Sequence, residues 1–349
     1  MKPLVTALIV VLTTAMNLTA GNFSSSAIGT TGAGFLNLGM GARPIAMGGA
    51  YSAVADDASA VYWNPAGLVR SEGASFMFMH ASYLSGISFD YLSFASSKGD
   101  SAFGGSLGYM NAGSIDQTDN SGNPLGSYQP RDYCGTLSYA ADLEVLGAET
   151  GRFSAGLSAK FLSSTITRKA GTVAFDAGLA GKIELFGAPL RLGFVAQNVG
   201  PGLKYDNKRD PLPTTYKLGG AVDVSGSWLF SAELAAPRGN APYLSLGTEH
   251  TAYSSDNMSV LLRAGMNTLT LSDISGLNGI SGGLGLAFSR VSVDYAVMLF
   301  GELGMTHRLS MTLKLGSQEK PSSRQAGKRG GFKHIQEASL GNDAIYLIH

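Results

Sequence analysis

The chain has 349 residues, of which 47 are glycine and 14% are charged, and its formal net charge is zero. This balance excludes electrostatic attraction to nucleic acid, and the charged fraction is well below the roughly 25% of soluble proteins. After the N-terminus no stretch approaches the roughly 20 apolar residues of a transmembrane helix. A closed β-barrel is then the way to span a bilayer, because lipid tolerates no unpaired strand edge. A glycine-rich soluble β-sandwich or solenoid is the alternative.

Residues 1–20 have the three-part form of a secretory signal peptide. Lys2 precedes the apolar run 4–12, and Ala20-Gly21 offers a small-residue cleavage point. The apolar core is too short to cross a bilayer, as is usual for such signals. We therefore expect an exported chain, with a first buried helix as the alternative.

Residues 21–73 form a distinct N-terminal segment, in which 39–68 reads GMGARPIAMGGAYSAVADDASAVYWNPAGL. Asp57 can cap a short helix over 58–62, and Asn64-Pro65 is a second helix start with proline at the first position. Small residues let backbones approach closely, and the segment is too apolar for a periplasmic linker, which is the alternative. Inside a wide barrel its natural place is the lumen, as a hatch or plug. The candidate site residues are Gly39, Gly41, Arg43, Gly48, Gly49, Asp56, Asp57, Trp63, Asn64, Pro65 and Ala66.

Arg43 is the only arginine between residues 39 and 68. Since a buried unpaired arginine is costly, we expect it to pair with Asp56 or Asp57 inside the lumen. The alternative is that each charge faces lumen water.

From Ser75 onward the hydrophobic pattern has a period of two. In Arg152–Phe161, RFSAGLSAKF, one face is apolar and the other carries arginine, serine, glycine and lysine. In an outer-membrane barrel the apolar face contacts lipid and the polar face lines the lumen. The predicted fold is all-β, a transmembrane antiparallel barrel over 74–316 with about 14 strands, and twelve or sixteen strands are the alternatives. We predict them at 75–84, 86–96, 101–112, 132–143, 152–165, 172–185, 189–199, 214–225, 227–237, 242–252, 258–270, 279–289, 291–300 and 306–316.

Polar connections and a polar tail complete the predicted organisation. Residues 113–131 and 204–213 are rich in turn formers and are expected to be exposed loops, the first of them extracellular. Acidic and amide side chains at Asp116, Asp119, Asn120 and Asn123 suggest calcium, but their spacing does not fit an EF-hand loop, and a solvated loop is the preferred interpretation. Residues 317–349 are basic and rich in glycine and serine, and we expect a disordered periplasmic tail.

No pattern points to an enzyme, a cofactor or a metal site. The five histidines are scattered without an i, i+4 pair, and no phosphate-binding glycine loop occurs. Two G-x-S-x-G strings, at 104–108 and 279–283, lie inside predicted strands rather than at a strand-to-helix elbow. We expect a non-enzymatic protein.

The N-terminal stretch FLNLGMGARPIAMGGAYSAVADDASAVYWNPAGL resembles the signature of the PorV/PorQ family of outer-membrane proteins. The resemblance continues through LSAKFLSSTI, VAQNVGPGLKYD, DPLPTTYKLGGAV and the last two strands, and so covers about residues 30–316. That family is similar to FadL-type fatty-acid channels, which are fourteen-stranded barrels with an N-terminal hatch carrying an Asn-Pro-Ala motif. Asn64, Pro65 and Ala66 match that motif, whereas the tail beyond the last strand departs from the pattern.

The resemblance implies a location in the outer membrane and a role in protein export. PorV-like members act with the type IX secretion machinery, which implies secreted cargo proteins or secretion-system subunits as partners beside the membrane lipid. FadL-like uptake of a hydrophobic small molecule such as a fatty acid is the alternative, and a structural porin-like protein is a third. No cofactor, no metal and no nucleic acid are expected.

Overall fold

The computed structural model describes residues 23–144, 153–185, 188–271 and 273–315. The predicted signal peptide (1–20) and the predicted tail (317–349) lie outside the described residues. No helix in the described part is long and apolar enough to cross a membrane.

Fourteen antiparallel strands close into one barrel, which confirms the predicted fold class and strand number. Each barrel strand pairs with its neighbours in the chain, and the first strand pairs with the last to close the wall. The predicted bounds agree to within three residues, and the largest differences are the earlier start of the strand predicted at 172–185 and the earlier end of the strand predicted at 258–270. The barrel strands are β1 Ala74–Ser82, β2 Ser88–Lys98, β3 Ser101–Asn111, β6 Arg131–Asp142, β7 Phe153–Thr165, β8 Lys169–Leu185, β9 Ala188–Val199, β12 Thr215–Val224, β13 Trp228–Pro237, β14 Tyr243–Ser254, β15 Met258–Asn267, β16 Asn278–Phe288, β17 Val291–Phe300 and β18 Met305–Leu315.

The two faces of the wall differ as a membrane barrel requires. In β7 the outward Leu157 and Phe161 are exposed, whereas the intervening Ser158 and Lys160 are buried inside. The apolar face is the exposed one, the reverse of a soluble sandwich. The alternation therefore predicted the strands and also which face meets lipid.

Two short hairpins stand beside the barrel sheet, where only loops were expected. Strands β4 Ile115–Thr118 and β5 Pro124–Tyr128 pair within the connection from β3 to β6. Strands β10 Leu203–Lys204 and β11 Arg209–Asp210 pair within the connection from β9 to β12. Both hairpins lie at the same end of the barrel, which we call the long-loop rim. Runs this short have too little alternation to be recognised in sequence.

The tip of the β4–β5 hairpin uses the carboxylate considered above for calcium. Asp119 accepts hydrogen bonds from the backbone of Ser121 and Asn123, each at 2.8 Å, and from the Asn123 amide at 2.9 Å. These hydrogen bonds lower the pKa of Asp119, the Asn123 side chain contributing most. The carboxylate therefore closes a turn.

The N-terminal segment contacts the inner face of the wall on several sides. Its helical turns are Ser25–Ala27, Gly34–Asn37, Ala42–Ala46, Ala60–Trp63 and Pro65–Arg70. Helix Ala42–Ala46 packs on β15–β18, and the 3-10 helix Pro65–Arg70 packs on β2, β3, β6, β7 and β8. Because these strands belong to different parts of a closed wall, the segment lies between them, and most of its residues from 35 to 68 are buried.

Glycines on the inner face make this close contact sterically feasible. A Cβ at Gly104 would lie 2.6 Å from the Val61 side chain, and one at Gly283 would lie 2.6 Å from the Ala46 Cβ. Real Cβ atoms do not approach so closely, so any larger residue would displace the segment. Eight strands carry such a glycine: Gly104, Gly156, Gly178, Gly193, Gly219, Gly247, Gly265 and Gly283.

Candidate functional site

Arg43 binds carboxylates of its own segment and of the wall. Its Nη1 lies 2.8 Å from an Asp56 oxygen and 3.6 Å from an Asp57 oxygen, so the predicted pairing is present. Its Nε and Nη2 donate to the two oxygens of Glu249 on β14, at 2.8 and 3.0 Å. This fork-to-fork geometry is the strong form of an arginine-carboxylate contact, and it joins the N-terminal segment to the barrel.

The network continues along the inner wall. Glu249 also accepts a hydrogen bond from Arg263 on β15, and Arg263 lies 2.7 Å from Asp294 on β17. The side chains of Glu249, Arg263 and Asp294 are at most 10% exposed. Since buried charges are tolerated only when paired, each member depends on the others. We call the set Arg43, Asp56, Asp57, Glu249, Arg263 and Asp294 the Arg43 cluster.

The charges around Arg43 also set its protonation. Burial by itself lowers the pKa of Arg43, but Glu249, Tyr51 and Asp56 raise it well above the ordinary value. Burial raises the pKa of Tyr51, whose hydroxyl accepts a hydrogen bond from Arg43 at 2.9 Å. Arg43 therefore stays a cation and Tyr51 a neutral phenol.

The candidate glycines shape the backbone on both sides of Arg43. Gly41 precedes helix Ala42–Ala46 with φ +87°, and Gly48 and Gly49 follow it with φ +67° and +81°. A Cβ at Gly48 would collide with backbone atoms of β14 and β15, and its N–H donates to Ser281 at 3.1 Å. Gly39 has φ +71°, where a side chain would strike Ile45. These glycines turn the chain so that Arg43 faces β14.

Asn64 makes the second group of contacts with the wall. Its Oδ1 accepts from the Ala66 N–H at 3.1 Å, which caps the 3-10 helix that Pro65 begins, as predicted. Its Nδ2 donates to the Ser52 carbonyl at 2.9 Å and to the Leu179 carbonyl on β8 at 3.1 Å. The Asn-Pro-Ala motif thus folds its own turn and binds the wall with one fully buried amide.

Neighbouring strands complete this contact. Ser154 on β7 donates to the Ala66 carbonyl at 2.9 Å, and Gln197 on β9 donates to the Tyr62 carbonyl. A Cβ at Gly156 or Gly178 would occupy the space of residues 64–66. We call Asn64, Pro65, Ala66, Ser154, Gly156, Gly178 and Gln197 the Asn64 cluster. Its polar groups are all uncharged.

Trp63 and the turn at Tyr51 lie between the two clusters. The Trp63 indole donates to the Met40 carbonyl at 2.7 Å, and the Lys217 ammonium lies 4.5 Å from its ring centroid. Glu233, 3.6 Å from Lys217, accepts from the backbone N–H groups of Tyr51 and Ser52 at 3.2 and 2.8 Å. The helix after Asp57 begins at Ala60 rather than Ala58, and the Asp57 carboxylate accepts hydrogen bonds from the N–H and the hydroxyl of Ser59 just before it.

An apolar hollow lies beside the segment, near its first turns. Its lining includes Phe35, Leu36, Met40, Tyr62 and Phe89. The free volume is about 10 Å³, which is close to the minimum that one water molecule requires. The hollow therefore has no room for a hydrocarbon in this conformation.

The wall residues of both clusters were not predicted from sequence. Glu249, Arg263 and Asp294 each stand at an inward position of an alternating strand, and this is the only signal they carry. Sequence indicates that such residues line the lumen but not which of them meets Arg43. In the described part of the chain no group of His, Cys, Asp and Glu is suited to hold a metal ion.

Comparison with known proteins gives a family and a fold. Residues 22–227 match the family model described as type IX secretion system protein PorV. The structure is similar to the toluene transporter TodX of Pseudomonas putida, with 13% identity, a TM-score of 0.53 and coverage of 80% of this chain and 99% of that one. It is also similar to the toluene transporter TbuX of Ralstonia pickettii, with 13% identity, a TM-score of 0.53 and coverage of 79% and 97%. No curated protein matches the chain in sequence.

Proposed function

Because the chain belongs to the PorV family of type IX secretion system proteins and is an outer-membrane barrel, we propose that it is a non-enzymatic docking component in protein export. It receives exported proteins and passes them on, with the N-terminal segment acting as a plug. The observation that supports this proposal is the bidentate contact of Arg43 with Glu249 on the wall. A segment held by buried charges suits a lumen that stays closed.

A closed lumen directs partners to the surfaces outside it. The hollow beside the segment has space for about one water, so neither a folded nor an extended cargo protein passes there in this conformation. Exported proteins or secretion-system subunits then meet the exposed connections, above all the β4–β5 hairpin, whose residues 115–118 and 120–127 are exposed. Docking without passage is the role this arrangement suits best.

Deletion of the gene tests the proposal. We expect proteins with a C-terminal signal domain to accumulate unprocessed in the periplasm, and the full-length gene to restore their processing. A second complementing gene lacks the β4–β5 hairpin, with residues 114–129 replaced by a short turn. It is expected to yield a folded barrel that does not restore processing. Normal secretion in the deletion strain would disprove the docking role.

Liposome flux tests the plug separately. A chain without residues 21–70 is expected to conduct small ions that the full-length chain excludes. Equal conductance of the two proteins would contradict a plugging role for the segment while leaving the docking role intact.

The second candidate function is uptake of a hydrophobic small molecule. The fold shared with the two toluene transporters and the apolar lining of the hollow favour it. It requires a rearrangement that enlarges the hollow between Leu36 and Phe89. Normal secretion combined with lost uptake of toluene or long-chain fatty acids in the deletion strain would favour this function over docking.

A further inference from the structure

The outward apolar side chains protrude further from the wall on β3, β6, β7 and β8 than elsewhere in the barrel. Six outward side chains on these strands are 55% to 66% exposed, whereas the other exposed large apolar residues of the barrel strands range from 38% to 53%. Greater exposure on one surface means that the neighbours of these side chains are smaller. The six residues are Phe103, Leu107, Leu137, Leu157, Phe161 and Phe175.

Two outward glycines produce the hollows between these side chains. Gly105 is flanked across the sheet by Phe94 and Leu137, and Gly135 is flanked by Leu107 and Phe161. Both glycines lie near the middle of their strands, at the depth of the hydrocarbon core. Each hollow is thus a groove of apolar and aromatic walls with a backbone floor.

Cations stand above the hollows at the long-loop rim. Arg131, the first residue of β6, and Lys169, the first residue of β8, are both exposed and occupy outward positions. In the strand register both lie directly opposite Thr165 of β7, Arg131 on one side of it and Lys169 on the other. Their backbones are therefore about 10 Å apart, within reach of one phosphate for two such long side chains. Arg131 lies four residues, or about 14 Å along the strand, above Gly135.

These two cations lack the carboxylates that neutralise others in the molecule. Among the described residues neither Arg131 nor Lys169 forms an ion pair, and the Arg131 guanidinium donates a hydrogen bond to the neutral side-chain oxygen of Gln129, whereas nearby Arg168 pairs with Asp206 at 3.2 Å. Just below Arg131 the rings of Tyr109 and Tyr133 stack, with centroids 4.8 Å apart. Stacked tyrosines at this height are typical of the boundary between headgroups and hydrocarbon.

We propose that β3, β6, β7 and β8 form a binding site for a phospholipid whose headgroup has a net negative charge, in the leaflet at the long-loop rim. The phosphate binds Arg131 and Lys169, and the acyl chains fill the hollows at Gly135 and Gly105. A lipid is the fitting occupant because the hollows are part of the membrane-facing wall and contain no charged side chain, while the unpaired charges lie at headgroup height. The site is independent of the proposed docking role.

The experiment measures lipid retention by the purified full-length barrel with native mass spectrometry. The probes are phosphatidylglycerol and phosphatidylcholine with identical acyl chains, and inorganic phosphate serves as a competitor. The wild-type barrel is expected to retain more phosphatidylglycerol than phosphatidylcholine. Each cation near an anionic headgroup contributes about a fivefold effect, so R131Q/K169Q is expected to weaken retention of phosphatidylglycerol about 25-fold. Retention of phosphatidylcholine should change little.

Filling the hollow tests the acyl-chain part of the site. Gly135→Leu is expected to reduce retention of both lipids, because it removes chain contacts and leaves the cations in place. Matched controls are Lys98→Gln with Arg290→Gln at the opposite rim, and Gly220→Leu at an outward position of β12. Heat-modifiable migration on gels checks that every variant is a folded barrel.

Three results would overturn the proposal. The first is equal retention by R131Q/K169Q and its rim control. The second is displacement of the lipid by millimolar inorganic phosphate, which would indicate a simple anion site. The third is a dimer or a co-purified protein on this face in place of lipid.

Discussion

The two clusters hold the same N-terminal segment by different physical means. The Arg43 cluster joins it to β14, β15 and β17 through buried charges, and the Asn64 cluster joins it to β7, β8 and β9 through neutral hydrogen bonds and close backbone contact. Removing one buried charge leaves its partners uncompensated, whereas a backbone packed on glycine tolerates no added atom. The Arg43 side is therefore sensitive to charge, and the Asn64 side is sensitive to volume and hydrogen-bond geometry.

The largest expected effect comes from removing the charge shared by two arginines. Glu249→Gln leaves Arg43 and Arg263 without their common carboxylate, and breaking a buried pair costs about 3–5 kcal/mol. We expect the free energy of unfolding in detergent to fall by that amount and ion conductance across planar bilayers to rise as the segment loosens.

The matched control for this variant is Glu302→Gln, in the exposed turn Gly301–Leu303. It should leave both stability and conductance unchanged. If Glu249→Gln matched it in both measurements, the Arg43 cluster would have no role in holding the segment.

A smaller loss of unfolding free energy is expected from Gly156→Ala, which adds one methyl group at the Asn64 cluster. A Cβ at Gly156 would collide with backbone atoms of Pro65 and Ala66, and overpacking of this kind costs about 1–3 kcal/mol. Gly220→Ala is the control, since its Cβ on the outer face would make only ordinary van der Waals contact, the nearest atom being Leu190 Cδ1 at 3.9 Å. Urea unfolding in micelles compares the two variants, and equal midpoints would mean that the segment adapts easily on this side.

The fold was more predictable from sequence than the site. Lipid on one face and lumen on the other produce alternation in every strand, so fourteen strands were recognisable. The Arg43 pairing with Asp56 was predictable because its partner is near in sequence and a buried arginine needs a counter-ion. The contact with Glu249 spans 206 residues and depends on barrel closure, which places β14 against residue 43. No local pattern contains that information.

We expect Asn64→Ala to lower the free energy of unfolding by less than Gly156→Ala does. The change removes the cap of the 3-10 helix and leaves the Ser52 carbonyl without its amide donor, in a fully buried position. Lost buried hydrogen bonds cost about 1–3 kcal/mol. Asn64→Asp is the informative companion, because it keeps the acceptor for Ala66 but replaces the amide donor by a carboxyl oxygen that faces the Ser52 and Leu179 carbonyls. Hydrogen exchange at Ala66 and Gly67 should rise in the first variant and stay protected in the second.

The smallest effect is expected from Arg43→Lys, which keeps the positive charge and loses the bidentate contact with Glu249. A lysine cannot bind both oxygens of Glu249 and reach Asp56 at the same time, so we expect a loss of about 1 kcal/mol, as for a modest charged hydrogen bond. The pKa of Arg43 is raised in the folded protein, so its stabilisation is complete below the ordinary arginine pKa and is lost only as the pH rises through the higher folded value. Wild-type stability should accordingly show no loss from Arg43 between about pH 7 and 10. The lysine variant should keep its stabilisation up to the ordinary lysine pKa of about 10.4 and lose it above that pH, where the arginine protein is still unaffected. If the two pH profiles stayed parallel above about pH 10, the charge of residue 43 would not stabilise this side of the segment. The contrast with the neutral Asn64 cluster would then fail.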